Sequence, residues 1–350
     1  MLHPDDRIAI LMHDGLKGAK GKTGSSLLRY SPNKVVAVID EAATGESVQA
    51  LTGIDRDVPI VPSLQAALPL DPTVLAIGLA PSGGVLPERW YAEVKQAIKA
   101  GLSVMNGLHT QMNEDAEIAA SIHAGRWVWD MRKEPEGLTV GGGKARFLAC
   151  DRVLTVGTDM AIGKMSTSIE LNRAAKAKGL RSQLIATGQT GLMLGFDGIP
   201  LDAIRVDYAS GAVEQALLRH GDDHDILFVE GQGSLLNPAS TATLPLIRGS
   251  QPTHLILVHK AGLTHIQHFS DFKIPAISEV VKLYESVAAA GGTFAPAKVA
   301  GIALNTFGLD ERGAMGAIAS ITKETGLPCT DVVRFGGDPL LAQITNLANG

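Results

Sequence analysis

The residues best suited to chemistry lie in the segment 151–171, which reads DRVLTVGTDMAIGKMSTSIEL. A short apolar run, residues 153–156, leads into a loop bounded by Gly157 and Gly163, and Lys164 then opens a helical pattern. The loop can wrap back so that its N–H groups point inward, and the lysine and the helix N-terminus add positive potential. This unit predicts a binding site for the phosphates of a nucleotide or a nucleotide-like cofactor.

The loop differs from the common P-loop in two respects. Five residues separate its glycines, one more than usual, and Met165 follows Lys164 where a Ser or Thr normally ligates Mg²⁺. A thioether is a poor ligand for that hard cation, so we expect pyrophosphate binding without a metal site. The residues expected to bind this group are Gly157, Thr158, Asp159, Gly163, Lys164, Ser166 and Thr167.

A second copy of the pattern occurs near the N-terminus. Gly15, Gly21, Lys22 and Thr23 follow the apolar run 8–12, and Pro32 then limits the downstream helix to about ten residues. This copy is either another phosphate loop or, as we prefer, a solvated basic loop.

Polar residues stand where the later apolar strands end, which is where parallel sheets bind ligands. Glu230 ends one strand in ILFVEGQGS, at the position of the Walker B acid of P-loop proteins, and His259 ends another in LILVH. Asp207 lies in a polar turn before a helix. These three are the candidate catalytic residues.

Each of the three has a structural alternative. The alternative role of Glu230 is an anchor for the adjacent loop, that of Asp207 is a helix N-cap, and that of His259 is a buried structural histidine. His265 and His268 lie three apart on a predicted helix, but without a third ligand nearby they do not predict zinc.

The segment IATGQTG places Thr187, Gln189 and Thr190 at another strand end, between glycines. Buried strand ends seldom hold several polar side chains without a partner. We therefore interpret these residues as part of a substrate or cofactor loop.

Strand-like and helix-like segments alternate along the whole chain, which predicts an α/β protein with mostly parallel sheets. Residues 133–146 interrupt the rhythm with proline and three consecutive glycines and form the best linker candidate. We therefore predict a Rossmann-like N-terminal domain, residues 1–140, and a P-loop NTPase-like domain, residues 147–350. Asp40 ends the second strand, where it is either a ribose ligand or a turn residue.

Composition limits the possible partners. The formal net charge of −5 and the scattered basic residues argue against nucleic-acid binding, and no apolar run approaches the length of a membrane span. The N-terminus lacks a signal-peptide pattern, and the two cysteines are typical of buried thiols in a reducing compartment. We expect a cytoplasmic protein that binds small molecules and, on general grounds, forms a homo-oligomer.

Four motifs in this order, GTDMAIGKMST, ATGQTG, VEGQGSL and GIALN, resemble a P-loop family whose described member is a D-glutamate N-acetyltransferase. The resemblance covers the whole chain. GTD, GK and the EG-x-G strand end are also distantly similar to dethiobiotin synthetase, an ATP-dependent ligase. In related P-loop enzymes, an Asn at the position of Asn305 hydrogen-bonds a purine edge, which implies a cofactor contact for Asn305.

The resemblance implies transfer of an acetyl group from acetyl-CoA to the amine of D-glutamate, in D-amino-acid catabolism. Such a reaction needs a general base, for which Glu230, Asp207 and His259 are candidates, and a cation for the substrate carboxylates. Arg248 is a candidate for that cation, as are Arg205 and Lys260. The alternative functions are an ATP- and Mg²⁺-dependent ligase or kinase and a nucleotide-sensing module.

Overall fold

A computed structural model describes residues 2–81 and 84–347, and these form two compact units. The first unit contains the described residues up to Glu134 together with Gln189–Phe196. The second contains Pro135–Gly188 and the described residues from Asp197 onwards. Each unit is built on its own six-stranded sheet, so the predicted α/β class is confirmed.

The sheet of the first unit has the doubly wound order β3-β2-β1-β4-β5-β6, in which all neighbouring strands are parallel. Its inner strands are continuous apolar runs because helices cover both faces. The strands are β1 Arg7–Leu11, β2 Lys34–Ile39, β3 Ile60–Val61, β4 Val74–Ile77, β5 Ser103–Asn106 and β6 Val128–Asp130. The helices are α1 Lys22–Tyr30, α2 Val48–Thr52, α3 Leu64–Ala67, α4 Glu88–Lys99 and α5 Ala116–Ser121.

The sheet of the second unit has the order β14-β13-β10-β7-β9-β8 and is also parallel. Its strands are β7 Asp151–Gly157, β8 Ser182–Ile185, β9 Ile226–Val229, β10 His254–Lys260, β13 Lys298–Asn305 and β14 Cys329–Thr330, and a separate hairpin contains β11 His265–Ile266 and β12 Phe269–Lys273. The later helices of the chain are α6 Lys164–Ala177, α7 Gln189–Met193, α8 Val206–Leu218, α9 Thr243–Ser250, α10 Ile277–Ala289, α11 Glu311–Thr325 and α12 Asp338–Leu347, of which α7 belongs to the first unit.

The central position of β7 determines where this unit can bind a ligand. β7 pairs with β10 on one side and β9 on the other, and its apolar side chains are buried. Because all these strands are parallel, the segments after β7, β9 and β10 leave the sheet at one edge. The loop after β7 therefore lies between the strand ends that carry Glu230 and His259.

The predicted linker is bound to the second unit. The boundary between units falls at Glu134, inside the predicted segment 133–146. The buried Glu214 carboxylate on α8 accepts hydrogen bonds from the N–H groups of Gly142 and Lys144. The backbone at Thr139 approaches α8 so closely that a Cβ at Gly211 would lie 1.8 Å from its carbonyl oxygen.

Two local predictions were wrong. His265 and His268 lie in the β11–β12 hairpin rather than on a helix, and His268 has a left-handed φ of 68° in the connecting turn. Gln189 and Thr190 lie on α7 rather than in a loop. In the part of the chain that the structure describes, no three His, Cys, Asp or Glu side chains converge on a possible metal position. Among these described residues, no helix has the length and apolar character needed to span a bilayer.

Candidate phosphate-binding site

The loop between β7 and α6 places the start of α6 at the centre of the sheet edge. Gly163 has a φ of 119°, a left-handed value that favours glycine, and it serves as the N-cap of α6. No side chain caps this helix, so its first N–H groups lack intrahelical partners. Such a helix start attracts anions.

Lys164 folds back into the loop. Its Nζ donates a hydrogen bond to the carbonyl oxygen of Asp159 at 2.7 Å, and the side chain is buried. A Cβ at Gly157 would lie 3.1 Å from this Nζ, so glycine leaves the room that the ammonium occupies. The loop thus surrounds a buried positive charge, as a phosphate site requires.

Asp159 has a structural role in this arrangement. Its carboxylate is fully buried and accepts hydrogen bonds from the N–H of Met160, from Nδ2 of Asn237 and from the N–H of Gln267, each at 2.7 Å. The structure therefore presents Asp159 as the anchor that joins the loop to two neighbouring segments. Its predicted contact with the cofactor stays a prediction.

His259 contacts the loop at the end of β10. Its Nδ1 lies 2.9 Å from Oγ1 of Thr158, and both side chains are buried. Burial lowers the pKa of His259 to about 4, so the imidazole is neutral near pH 7. A neutral imidazole can accept a proton, but one with this pKa is a weak base.

Glu230 lies beyond the end of β9 and is the most perturbed acid of the site. Its Oε2 accepts hydrogen bonds from the N–H of Thr187 at 3.0 Å and of Gly188 at 3.3 Å. Burial raises the pKa of Glu230 to about 7, although these N–H groups and the charge of Lys164 pull it down. A carboxyl with this pKa can take up or release a proton under physiological conditions.

Three residues that the sequence interpretation missed complete the site. The Tyr284 hydroxyl on α10 donates to the carbonyl oxygen of Gly157 at 2.7 Å. Oγ1 of Thr155 accepts the N–H of Gly231 at 2.8 Å, and Nε2 of Gln232 donates to the carbonyl oxygen of Thr187. The VEGQGS motif contains Gln232, so its position after Glu230 was a usable signal. No local pattern distinguishes Tyr284.

The remaining predicted cofactor residues lie on or beside the loop. Nδ2 of Asn305 donates to the carbonyl oxygen of Ile162 at 3.0 Å, and its Oδ1 accepts the N–H of Phe307. Oγ1 of Thr167 donates to the carbonyl oxygen of Gly163 at 3.0 Å. Ser166 is half-buried in the first turn of α6. The structure thus places Asn305 against the phosphate loop, and its predicted contact with a purine edge stays a prediction.

Two predicted residues lie elsewhere in this unit. Asp207 is exposed in the first turn of α8, and Arg205 precedes this helix as its N-cap. Arg248 is exposed in the last turn of α9. The carbonyl oxygen of Gln251, which directly follows this helix, accepts a hydrogen bond from Nε of Arg152 near the start of β7. The structure therefore places Arg248 at the amino edge of the sheet, opposite the phosphate loop.

The TGQTG motif is divided by the fold. Thr187 and Gly188 bind Glu230 within the second unit, whereas Gln189 and Thr190 belong to the first. In the first unit, Oγ1 of Thr190 lies 3.3 Å from Oγ1 of Thr23, which follows the N-terminal glycine loop. Of the three residues predicted in this motif, only Thr187 therefore lies with Glu230 in the second unit.

Asp40 stabilises the N-terminal glycine loop. Its buried carboxylate accepts hydrogen bonds from the N–H groups of Asp14 and Leu16, each at 3.1 Å, and of Ala42. The turn interpretation of Asp40 is thus the one that the structure supports.

These features define a class, α/β proteins with a Rossmann-like unit and a P-loop unit. Residues 41–134 match a family described as a domain of unknown function, DUF1611_N, Rossmann-like domain. Residues 139–341 match the corresponding DUF1611_C P-loop domain. The chain belongs to the DUF1611 family.

Similar proteins match four fifths of the chain or more. The chain is 33% identical to a D-glutamate N-acetyltransferase of Tritonibacter scottomollicae, over 80% of this chain and 83% of that protein. It is 33% identical to a protein of the same name from a Pseudoalteromonas species, over 81% of this chain and 84% of that protein. The crystal structure of a DUF1611 family protein from Anabaena variabilis superimposes with a TM-score of 0.96 at 57% identity, covering 98% of this chain and 100% of that one. The resemblance drawn from the four motifs is thereby confirmed.

Proposed function

We propose that this protein is an N-acetyltransferase that moves an acetyl group from acetyl-CoA to the amine of D-glutamate. The names of two relatives, each similar over about four fifths of the chain, support this assignment. The observation that carries it is Glu230, a buried carboxyl with a pKa of about 7 beside the phosphate loop. Acyl transfer to an amino acid requires a base, because the ammonium group must lose a proton before the amine can attack, and a carboxyl with this pKa can accept that proton near neutral pH.

The loop suits the anionic part of the donor. The uncapped start of α6 and the buried Lys164 ammonium fit a diphosphate, and Gly157 leaves room for that ammonium. Met165 follows the lysine, so the position that usually supplies a hydroxyl to Mg²⁺ has none. Acetyl-CoA supplies the acetyl group as a reactive thioester.

The chain's own groups supply the remaining needs of the reaction. Glu230 takes a proton from the substrate ammonium group, the resulting amine attacks the thioester carbonyl, and CoA leaves as the thiolate, while the neutral His259 keeps the Thr158 side of the loop in place. Lys260, the last residue of β10, is a better candidate than Arg248 for pairing with a substrate carboxylate, because it ends a strand at the loop edge.

A second candidate function is an ATP-dependent ligase or kinase. The P-loop itself and an acid at the end of β9 favour it, since both occur in nucleotide-hydrolysing proteins. This candidate predicts dependence on Mg²⁺, which the acetyltransferase does not.

One paired experiment distinguishes the two candidates. Thiol release from acetyl-CoA is measured with a panel of D-amino acids, and ADP release from ATP is measured on the same preparation with Mg²⁺ or EDTA. We expect thiol release that requires D-glutamate and persists in EDTA. Mg²⁺-dependent ADP release without thiol release would instead establish the ligase or kinase.

A further inference from the structure

An exposed apolar surface lies beside the phosphate loop, on the segments that follow β13 and β14. These strands are parallel neighbours, so both segments leave the sheet at the carboxyl edge. Exposed apolar side chains cluster on them, and we call this surface the edge patch: Phe307, Leu309, Val333 and Phe335. Clustered exposed apolar groups mark binding surfaces more often than isolated ones do.

The edge patch is held in place by a buried carboxylate. Asp331 accepts hydrogen bonds from the N–H and Oγ1 of Thr306 in one segment and from the N–H groups of Val333 and Arg334 in the other. The two segments therefore form one preorganised surface rather than two independent loops.

Arg334 adds a positive charge to this surface. Its guanidinium donates a hydrogen bond to the carbonyl oxygen of Leu309 at 2.5 Å, and the side chain is exposed. Within residues 2–81 and 84–347 this guanidinium forms no ion pair with an acidic side chain. Asp310, the acid next to Leu309, accepts the N–H of Gly313 as the N-cap of α11, and the Asp331 carboxylate accepts the backbone N–H of Arg334. Arg334 thus retains donors for an anion.

Asn305 connects the edge patch to the phosphate loop. Its amide bridges the carbonyl oxygen of Ile162 in the loop and the N–H of Phe307 in the patch. A ligand whose diphosphate lies against the start of α6 can therefore extend its nucleoside over Phe307. Both ends of the Asn305 amide already have partners within the protein, which leaves aromatic contact as the stronger source of affinity for the base.

We propose that the edge patch binds the adenosine 3′-phosphate end of CoA. Phe307 and Phe335 provide the apolar surface for the adenine ring, and Arg334 pairs with the 3′-phosphate. This inference rests on the proposed function. It adds that the site distinguishes CoA from ATP, because ATP carries no 3′-phosphate.

The test compares the affinities of acetyl-CoA and acetyl-dephospho-CoA by isothermal titration calorimetry. We expect the unaltered protein to bind acetyl-CoA about tenfold more tightly, as expected for one charge-assisted contact. Arg334→Ala should abolish this preference by weakening acetyl-CoA alone, and Arg334→Lys should retain part of it. Phe307→Ala should weaken both donors about tenfold, because both carry adenine.

A matched pair of residues provides the control. Arg146 lies over the ring of Phe147 at 4.7 Å, and Phe147 is 76% exposed, as Phe307 is 71% exposed. This pair precedes β7 and so lies at the amino edge of the sheet. Arg146→Ala and Phe147→Ala should leave both affinities unchanged.

Each other outcome has a definite meaning. Equal affinity of the unaltered protein for the two donors, or equal weakening of both by Arg334→Ala, would overturn this inference while the acetyltransferase assignment stands. If the unaltered protein binds neither donor and releases ADP, the proposed function fails and the inference fails with it.

Discussion

Glu230 is the residue whose chemistry depends most on folding. Its pKa rises from 4.5 to about 7 because burial penalises the carboxylate more strongly than two N–H groups and Lys164 stabilise it. Both N–H groups bind the same oxygen, Oε2, so a glutamine can keep these contacts through its carbonyl oxygen. The Glu230→Gln variant therefore removes the titration and preserves the local structure.

The pH dependence of activity should identify the base. If Glu230 is the base, turnover of acetyl-CoA with D-glutamate rises as the pH increases through about 7, and Glu230→Gln is nearly inactive. If His259 is the base, activity is already constant above about pH 5, because its pKa is about 4. The measurement is the pH profile of kcat between pH 5 and 9, and a flat profile would reject Glu230.

The titration of Glu230 should also make the free energy of unfolding depend on pH. A carboxyl whose pKa is raised by folding favours the folded state while it is protonated, and this contribution is lost as the pH rises from 4.5 to about 7. Glu230→Gln has no carboxyl to titrate at this position. As the pH increases across this window, its free energy of unfolding should therefore rise relative to that of the unaltered protein, by about 3 kcal/mol at most. Urea denaturation at pH 4.5, 6 and 7.5 measures the difference. A difference independent of pH would show that the carboxyl is not perturbed.

Lys164 should determine affinity for the anionic ligand. Lys164→Met keeps most of the apolar volume and removes the buried charge, so acetyl-CoA affinity should fall roughly tenfold to a hundredfold. Lys178→Met is the control, because this lysine lies beyond the other end of α6 and pairs with Asp338. Calorimetry measures both variants, and unaltered affinity in Lys164→Met would exclude the loop from binding.

At the scale of elements, α10 supports the strand that carries the phosphate loop. The buried Tyr284 hydroxyl donates to Gly157 at the end of β7 and accepts the N–H of Leu235. One side chain thus stabilises both the start of the loop and the segment that follows Glu230.

Removal of this hydroxyl should loosen both segments. Tyr284→Phe leaves the ring in place and removes the partner of two backbone groups, the buried carbonyl of Gly157 and the half-buried N–H of Leu235, so we expect a loss of about 1–3 kcal/mol in the free energy of unfolding. Tyr208→Phe on α8 serves as the control, since that tyrosine contacts Arg205 through its ring. Urea denaturation provides the measurement. Equal stability of the two variants would contradict the supporting role of α10.

At the scale of the whole molecule, the chain enters the second unit through a segment that hydrogen bonds hold against α8. Residues 139–144 pack against α8, and the Glu214 carboxylate binds two of their N–H groups. This explains how a glycine-rich stretch, typical of a linker, becomes part of a compact unit.

Glu214 should protect this segment from proteases. Glu214→Ala leaves two N–H groups without their acceptor, so trypsin should cut after Lys144 or Arg146 roughly tenfold faster. Glu279→Ala, an exposed glutamate on α10, should leave the rate unchanged. Mass spectrometry of timed digests identifies the sites. Equal cleavage rates would indicate that the glycine segment is not held by Glu214.

Much of the fold follows from local pattern. Apolar runs such as residues 153–156 predict buried parallel strands, because a strand covered on both faces must be apolar throughout. The loop from Gly157 to Lys164 can likewise be predicted from the sequence, because its glycines, its lysine and the following helix are adjacent along the chain. Strands as short as β3 and β14 carry too few residues to show such a pattern.

Tertiary structure decided how these parts act together. Nothing near Asp159 in sequence shows that Asn237 and Gln267 bind its carboxylate. The raised pKa of Glu230 arises from burial in the assembled unit, and Thr187, Gly188 and Lys164, which come from other elements, offset it in part. Pattern along the chain reports which segments are strands and helices because those depend on neighbouring residues. The burial, charge and partners of a side chain depend on residues far away in sequence, so they emerge only when the sheet is assembled.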